Sequence, residues 1–188
     1  MKKEQSERLD EILNKQDNLA TMWLDYWKEF STWQTWQFWA IALMLMIPLI
    51  VIYFAIDKRK VFHLGFFGFN IHTWFTYSDA IAMRTGYVTY PFQAIPIMPV
   101  NFALDASLVP VSFMLVYQWC LNHNKNIFLY GTILSAAFSF GIKPTLVYFD
   151  ILQLNKGANY FSLFLNYLLI LGVSIAITKL FLYLRTKA

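Results

Sequence analysis

The feature that most constrains this sequence is the run from Phe38 to Ile56, which contains no charged side chain. Folded as a helix with a rise of about 1.5 Å per residue, the run would be roughly 28 Å long, close to the thickness of about 30 Å of a bilayer's hydrocarbon core. The basic cluster Lys58 to Lys60 follows almost at once, and clustered bases beside a span mark the cytoplasmic side of the membrane. The run therefore predicts a transmembrane helix with a preferred direction.

The composition extends this prediction to the whole chain. Of its 188 residues, 58% are hydrophobic and 14% are charged, against about 45–50% and about 25% in soluble domains. A soluble domain of this length could not bury so much apolar surface, so lipid must cover part of it. The net charge is +4, and the bases lie at the ends of apolar runs without forming a polar face interleaved with stacking aromatics. We therefore expect a lipid bilayer as partner, and no nucleic acid.

The apolar segments give the fold class, an all-α, polytopic membrane helix bundle of five transmembrane helices with an N-terminal amphipathic helix. The predicted spans are residues 38–56, 61–84, 104–121, 127–149 and 160–182. The chain then divides into a coiled-coil-like helix at 1–36 and a membrane domain at 37–188. Between the second and third spans, residues 87–101 contain Pro91, Pro96 and Pro99, which rule out a regular helix. Irregular backbone cannot face lipid, so we expect this segment at the interface or buried among helices.

The N-terminal helix carries an apolar row with a seven-residue repeat, the pattern of a coiled-coil seam. Acids outnumber bases on its other face, whereas a helix that binds anionic lipid normally carries an excess of Lys and Arg. Two interpretations stay open: self-association or docking through the row, and anchoring on the membrane surface with the row towards lipid. The predicted oligomer seam is Leu9, Ile12, Leu19, Trp23, Tyr26, Phe30 and Trp33.

The charges of the loops predict the orientation of the bundle. With five spans, one side of the membrane receives Lys58, Arg59, Lys60, Lys125, Lys179, Arg185 and Lys187 against a single acid, Asp57. The loops on the opposite side hold more acids than bases. Because an excess of Lys and Arg in short loops marks the cytoplasmic side, we expect the N-terminus outside and the C-terminus in the cytoplasm. A four-span arrangement would place Lys125 outside.

Polar residues within the predicted spans are the candidate functional residues. A charge at the bilayer centre costs about 2.5–3.5 kcal/mol on insertion scales, so such groups usually pair or line water. We expect Lys143 to pair with Asp105 or Asp150; a structural link between spans and a conducting polar path both stay open. The intramembrane polar and ion-pair candidates are Asp79, Arg84, Asp105, Lys143, Asp150, His63 and Asn70.

Small residues recur at helix-packing spacing in the last two spans. Gly131, Ser135 and Ser139 are spaced by four, the small-xxx-small pattern of close helix contacts, and Lys143 continues the row. Gly172 and Ala176 form a second pair with the same spacing. We expect both rows to contact neighbouring helices, and Lys143 to face one of them unless its side chain reaches the surface.

The membrane domain also contains a set of short aromatic and proline motifs. They are Tyr90-Pro91, Pro99, Asp105, Pro110-Val111, Tyr117-Gln118, Ser139-Phe140, Lys143-Pro144 and Tyr160-Phe161-Ser162. Together these motifs resemble a family of small uncharacterised multi-pass membrane proteins of spore-forming Gram-positive bacteria, over roughly Trp36 to the C-terminus. The family more often has an acid at the position of Lys143. The resemblance implies a bacterial cytoplasmic or spore membrane, and it implies no reaction.

The sequence contains no pattern typical of an enzyme. It lacks HExxH, GxSxG and glycine-rich phosphate-binding motifs. Cys120 is the only cysteine, which excludes a disulfide within the chain, and His63 and His72 lie on opposite faces of one predicted helix. We therefore expect no enzyme, no catalytic residue, no cofactor and no metal. The predicted function is a homo-oligomeric membrane structural or assembly protein, with other membrane proteins as further candidate partners. The alternative is an oligomeric ion or small-solute channel with a polar path at Asp105 and Lys143.

Overall fold

Seven α-helices account for most of the chain in the computed structural model, which describes residues 3–96, 98 and 100–187. They are α1 (Lys3–Phe30), α2 (Trp36–Ala55), α3 (Val61–Arg84), α4 (Val109–Asn122), α5 (Ile127–Ala137), α6 (Lys143–Tyr148) and α7 (Tyr160–Arg185). Two short strands, β1 (Val88–Thr89) and β2 (Gln153–Leu154), pair antiparallel. The described residues therefore form an all-α fold with one two-stranded clip. Pro99, from the predicted proline-rich segment, lies outside the described residues.

Four helical segments are long and apolar enough to cross a membrane: Trp36–Ala55, Leu104–Asn122, Ile127–Tyr148 and Tyr160–Arg185. They correspond to four of the five predicted spans, with ends that differ by only a few residues. The remaining prediction, residues 61–84, coincides with α3, but α3 is not among the four apolar segments. His63, Asn70 and His72 lower its apolar character.

α3 packs between α4 and α7. Near its start, Phe66 meets Phe181 of α7 with ring centroids 5.0 Å apart. Near its end, Ser78 Oγ donates to Asn166 Oδ1 of α7 at 2.9 Å. Early residues of α3 thus meet late residues of α7, and late residues meet early ones, so the two helices run antiparallel over most of their length.

The basic end of the bundle, where α2 and α4 end and α3 begins, is joined by side-chain hydrogen bonds. The Gln118 amide of α4 accepts from the Asp57 backbone N–H at 2.6 Å and donates to the Ala55 carbonyl at 2.8 Å. The Asp57 carboxylate accepts from the Arg59 backbone N–H at 3.0 Å, which starts a 3-10 turn at Lys58–Lys60. This backbone hydrogen bond, aided by the Arg59 and Lys60 charges, lowers the pKa of Asp57 below its usual range.

Two prolines are accommodated in the helices by widened turns. A proline ring inside an α-helix clashes with the carbonyl four residues earlier. Pro110 follows a π-helical turn at Leu104–Leu108, and Pro144 follows another at Phe138–Ile142. Each widened turn ends just ahead of its proline, so α4 and α6 continue the preceding helical path.

The predicted N-terminal helix at 1–36 is interrupted. α1 ends at Phe30, and α2 begins at Trp36 after a connection in which Thr35 Oγ1 donates to the Thr32 carbonyl at 2.9 Å. Ser31, the first residue after α1, is only 2% exposed because it packs against the membrane domain. α1 itself contains no buried residue. The helix is therefore attached to the rest of the chain at its C-terminal end.

Candidate functional site

Six polar side chains meet at the far end of the bundle, the end opposite the basic end. This polar cluster consists of Asp79, Tyr90, Asn101, Asp105, Lys143 and Tyr167. All are buried except Asp79, which is half-buried. The cluster therefore combines two carboxyl groups and one amine in an environment largely shielded from solvent.

The Asp79 carboxylate is the hub of the hydrogen bonds. It lies on the last turns of α3 and accepts the Tyr90 hydroxyl at 2.9 Å and the Asn101 backbone N–H at 3.2 Å. Tyr90 follows β1, and Asn101 precedes the helical turn that leads into α4. Both ends of the irregular segment between α3 and α4 are thus tied to one carboxylate, which satisfies backbone polar groups buried among helices.

Lys143 enters the cluster from α6. Its ammonium is 5.6 Å from the centroid of the Tyr90 ring and 3.3 Å from the Tyr90 hydroxyl oxygen, to which it donates. The side chain is 6% exposed. Since Tyr90 in turn donates to Asp79, the tyrosine hydroxyl links the ammonium to the carboxylate.

The π-helical turn before α6 explains why Lys143 points inwards. Steps of four residues on an α-helix each advance about 40° beyond a full turn, so three steps from Gly131 would carry Lys143 about 120° away from the row. A π-helical turn contains about one extra residue, which rotates the residues after it back by about 100°. Gly131, Ser135, Ser139 and Lys143 are accordingly all buried.

Asp105 is the charge-bearing residue of the cluster whose carboxyl has the fewest hydrogen-bond partners. It is 3% exposed. Asn101 links it to Asp79, because the Asn101 carbonyl accepts the Asp105 backbone N–H at 2.9 Å and the Asn101 N–H donates to Asp79 Oδ2 at 3.2 Å. The Asp105 backbone carbonyl accepts from His72 Nδ1 at 2.7 Å, but Asp105 Oδ2 is buried without a hydrogen-bond partner among the described residues. Asn101 Nδ2 and the Tyr167 hydroxyl are also buried and unpartnered there. Unpaired buried polar atoms cost about 1–3 kcal/mol each, so their grouping in one place requires an explanation.

The predicted ion pair of Lys143 with Asp105 or Asp150 is not formed. Within the described part of the chain, every ion pair within 4.0 Å lies in α1 or at Asp57. Asp150 follows the end of α6 with a φ of 57° and is exposed, because the chain turns there towards solvent. Arg84, at the end of α3, is exposed as well. Neither belongs to the cluster.

The two other predicted polar residues of α3 serve separate contacts. His63 Nε2 and the Tyr117 hydroxyl are hydrogen-bonded at 2.8 Å, at the basic end of the bundle. Asn70 is buried and donates to the carbonyl of Phe66 in its own helix at 2.8 Å. They share a helix face as predicted but take no part in the polar cluster.

Only one of the two predicted small-residue rows contacts a neighbouring helix of the chain. Gly131 of α5 lies directly against Leu171 of α7; a Cβ added there would be 2.6 Å from Leu171 Cδ2. By contrast, a Cβ at Gly172 would meet no atom within 4 Å, and Ala176 is exposed. The first row is therefore a helix contact within the chain, and the second is not.

The α1 helix is docked beside the cluster. Trp27 Nε1 donates to the Gln93 carbonyl at 2.9 Å, and Ser31 Oγ donates to the Pro91 carbonyl at 3.3 Å. The Gln93 amide in turn donates to the carbonyl of Tyr90 at 3.4 Å. The end of α1 thus rests on residues 91–93, which directly follow the cluster residue Tyr90.

Six of the seven predicted seam residues lie on α1, whereas Trp33 lies in the connection after its end at Phe30 and is not part of that helix face. Trp23 is half-buried. The others are exposed, by between 38% and 67%; these are Leu9, Ile12, Leu19, Tyr26, Phe30 and Trp33. The apolar row therefore faces outwards from an isolated chain.

No family model, curated protein or solved structure matches this chain. Among the described residues, no group of three or more His, Cys, Asp or Glu side chains is arranged to hold a metal. What the polar cluster can do is hold protons and small hydrogen-bonding species.

Sequence reasoning identified Asp79, Asp105 and Lys143 but missed the tyrosines and Asn101. A usable signal existed for Tyr90, since the segment from 87 to 101 was expected to be buried or interfacial and its polar groups then need partners. Tyr167 carries no comparable signal, because a tyrosine in an apolar span is ordinary.

Proposed function

We propose that this protein is a structural or assembly component of a bacterial cytoplasmic or spore membrane and that copies of it associate through α1. The observation that carries the proposal is the uncovered apolar row of α1, which includes Leu9, Ile12 and Leu19. The helix is about 42 Å long at about 1.5 Å per residue, and none of its residues is buried by the rest of the chain. Helices in proteins draw most of their stability from packing an apolar face against a partner. A partner is therefore expected along this row.

The charges of α1 favour a second copy over the lipid surface as that partner. Its polar face is satisfied internally by pairs such as Arg8 with Glu4 at 2.7 Å and Lys15 with Glu11 at 2.6 Å. Exposed pairs of this kind contribute only about 0.3–0.5 kcal/mol each. The face offers no excess of bases to anionic headgroups, whereas self-pairing of helices needs none.

The proposed topology has five spans, with α3 as the second. It is supported by the path of α3, which runs beside α7 from the basic end to the far end of the bundle. Polar side chains such as His63 and Asn70 are tolerated in α3 because they meet protein in place of lipid. With five spans, the basic end lies in the cytoplasm, and α1 and the polar cluster lie on the outer side.

A common orientation determines the geometry of the seam. All copies insert in the same direction, so their α1 helices leave the membrane on one side and pair in parallel and in register. A seam residue then meets the same residue of the partner. The outward-facing Gly172 and Ala176 of α7 supply a second small-residue face through which copies can approach within the membrane.

Disulfide trapping tests this arrangement in native membranes. Cys120 is first replaced by Ala, and then Ile12→Cys is compared with Asn14→Cys, which lies on the opposite face of α1. A disulfide requires Cα atoms closer than about 7 Å, which only seam positions provide. We expect cross-linked dimers with Ile12→Cys and none with Asn14→Cys. Equal cross-linking at both positions would show random collision and contradict the seam.

An oligomeric ion or small-solute channel is the second candidate. It is favoured by the buried hydroxyls of Thr132, Ser139, Ser174 and Thr178, which have no hydrogen-bond partner among the described residues. They lie on α5, on the π-helical turn after it and on α7. Such groups can hold water only if space opens between the helices. The test is ion flux into liposomes with and without Lys143→Met. Flux that is lost in a correctly folded variant supports the channel; no flux from the unaltered protein contradicts it.

A further inference from the structure

The polar cluster places two carboxyl groups against a single amine. Asp79 and Asp105 bring two negative charges when ionised, and Lys143 brings one positive charge. The side chain of Asp105 is only 3% exposed, and that of Lys143 only 6%. A net charge at such a position is strongly unfavourable, because burial removes the water that would solvate it. One bound proton brings the cluster to neutrality.

We infer that the polar cluster is a binding site for one exchangeable proton, held between the carboxyl groups of Asp105 and Asp79. The inference is independent of whether copies of the chain associate. It rests on the pairing of the two carboxyls and, separately, on the unpartnered Asp105 Oδ2.

The hydrogen bonds assign the proton to Asp105. Asp79 accepts two donors, the Tyr90 hydroxyl and the Asn101 backbone N–H, and such bonds stabilise a carboxylate. Asp105 Oδ2 accepts none from the residues that the structure describes. A protonated Asp105 can donate its O–H to Asp79, because Asn101 holds the two residues together: its N–H donates to Asp79 Oδ2 at 3.2 Å and its carbonyl accepts the Asp105 N–H at 2.9 Å. Neighbouring carboxyls that share one proton are the arrangement expected when two like charges cannot both be ionised.

The groups around the pair favour a proton over a metal ion. Lys143 approaches from α6, and Tyr90 from the segment after β1. Tyr167 lies on α7, and His72 lies on α3, the helix that also carries Asp79. The ammonium opposes a second cation, and the hydroxyls and the amide can rearrange as donors or acceptors around a proton. Half-buried Asp79 supplies the contact with solvent through which the proton exchanges.

Infrared spectroscopy of the full-length protein in lipid tests the inference directly. At neutral pH the unaltered protein should show the C=O band of one protonated carboxyl per chain, and the band should shift in D₂O because the proton exchanges. Absence of that band at neutral pH would overturn the inference, whatever any variant does.

Three variants then assign the proton. Asp105→Asn should abolish the band, whereas Asp150→Asn, which alters an exposed carboxyl of the same end, should leave it unchanged. Lys143→Met removes the compensating charge, so a second carboxyl should become protonated and the band should grow up to twofold. A band that persists in Asp105→Asn, or that does not grow in a folded Lys143→Met variant, would contradict the proposed charge balance.

Discussion

The contact between Gly131 of α5 and Leu171 of α7 allows a quantitative prediction. A Cβ added by Gly131→Ala would lie 2.6 Å from Leu171 Cδ2 and 3.0 Å from Cδ1. Leu171 is 0% exposed, so its side chain cannot move aside into solvent or lipid. Forcing an extra methyl into such a core costs about 1–3 kcal/mol.

Part of this cost is hidden by the intrinsic preference of helices for Ala, which exceeds that for Gly by about 0.8–1 kcal/mol. Gly172→Ala on α7 provides the matched control, because its added Cβ would meet no atom within 4 Å. The propensity gain is common to both variants and cancels in the comparison. We therefore expect Gly131→Ala to be less stable than Gly172→Ala by about 1–3 kcal/mol.

The assay is reversible unfolding from mild into denaturing detergent, followed by the fluorescence of the seven tryptophans. A double-mutant cycle sharpens it. Leu171→Ala alone should cost about 2–5 kcal/mol through the cavity that it leaves. In the Gly131→Ala background the added methyl relieves part of that cost, so the coupling energy should be at least about 1 kcal/mol. Equal stabilities for the two glycine variants would refute the close contact of α5 with α7.

Three further variants test other contacts. Tyr90→Phe removes the hydroxyl that joins Lys143 to Asp79, and unfolding in detergent should become easier by about 1–3 kcal/mol. Gln118→Ala removes both amide hydrogen bonds to the end of α2, at a cost of about 1–3 kcal/mol in the same assay. For Asp57, whose pKa is lowered in the folded state, stability is present above about pH 4 and lost as the pH falls through the folded pKa. Asp57→Asn should flatten this acid limb of the pH–stability profile.

For each of these three predictions, a specific result would contradict it. Tyr87→Phe alters an exposed tyrosine three residues away, and if it costs as much as the cluster variant, the cluster hydroxyl contributes nothing particular. A Gln118→Glu variant keeps the acceptor and loses the donor, so it should fall between the unaltered protein and Gln118→Ala. An unchanged acid limb in Asp57→Asn would mean that other carboxyls determine the pH dependence.

The apolar spans could be located from the sequence because their physical cause is local. A membrane-crossing helix needs about 20 apolar residues, and charged residues mark its ends. The predicted span 38–56 is observed as α2 at Trp36–Ala55, and the predicted span 160–182 as α7 at Tyr160–Arg185. The extensions amount to single turns at most, where helix ends continue past the hydrocarbon into the interface.

The packing of α3 between α4 and α7 could not be read from the sequence alone. Its bounds were predicted correctly, but its polar residues, such as His63, make it less apolar than the four segments that are apolar enough to cross a membrane. What allows those residues there is the surrounding protein, for example the Tyr117 hydroxyl that bonds to His63. A contact between residues 54 apart leaves no mark on local periodicity.

Contacts between distant residues also explain why the predictions at the polar cluster were partly wrong. Asp105 and Lys143 stood out because they are charges in apolar surroundings, but Tyr90 reaches Lys143 across 53 residues from an irregular segment. Asp150 was a plausible partner by spacing, yet its positive φ turns it outwards. Just after the end of α1, Ser31 likewise bonds to a distant group, the Pro91 carbonyl.

The mass of the protein in mild detergent tests the central claim most directly. The unaltered full-length chain is compared with the double variant Ile12→Glu/Leu19→Glu, which places charges in the seam, and with Asn14→Glu, which places one on the opposite face. A charge without a partner in an apolar interface is strongly unfavourable. Association through α1 predicts an oligomer for the unaltered chain and for Asn14→Glu, and a monomer for the seam variant. A monomeric unaltered chain, or an oligomer that survives both seam charges, would contradict it.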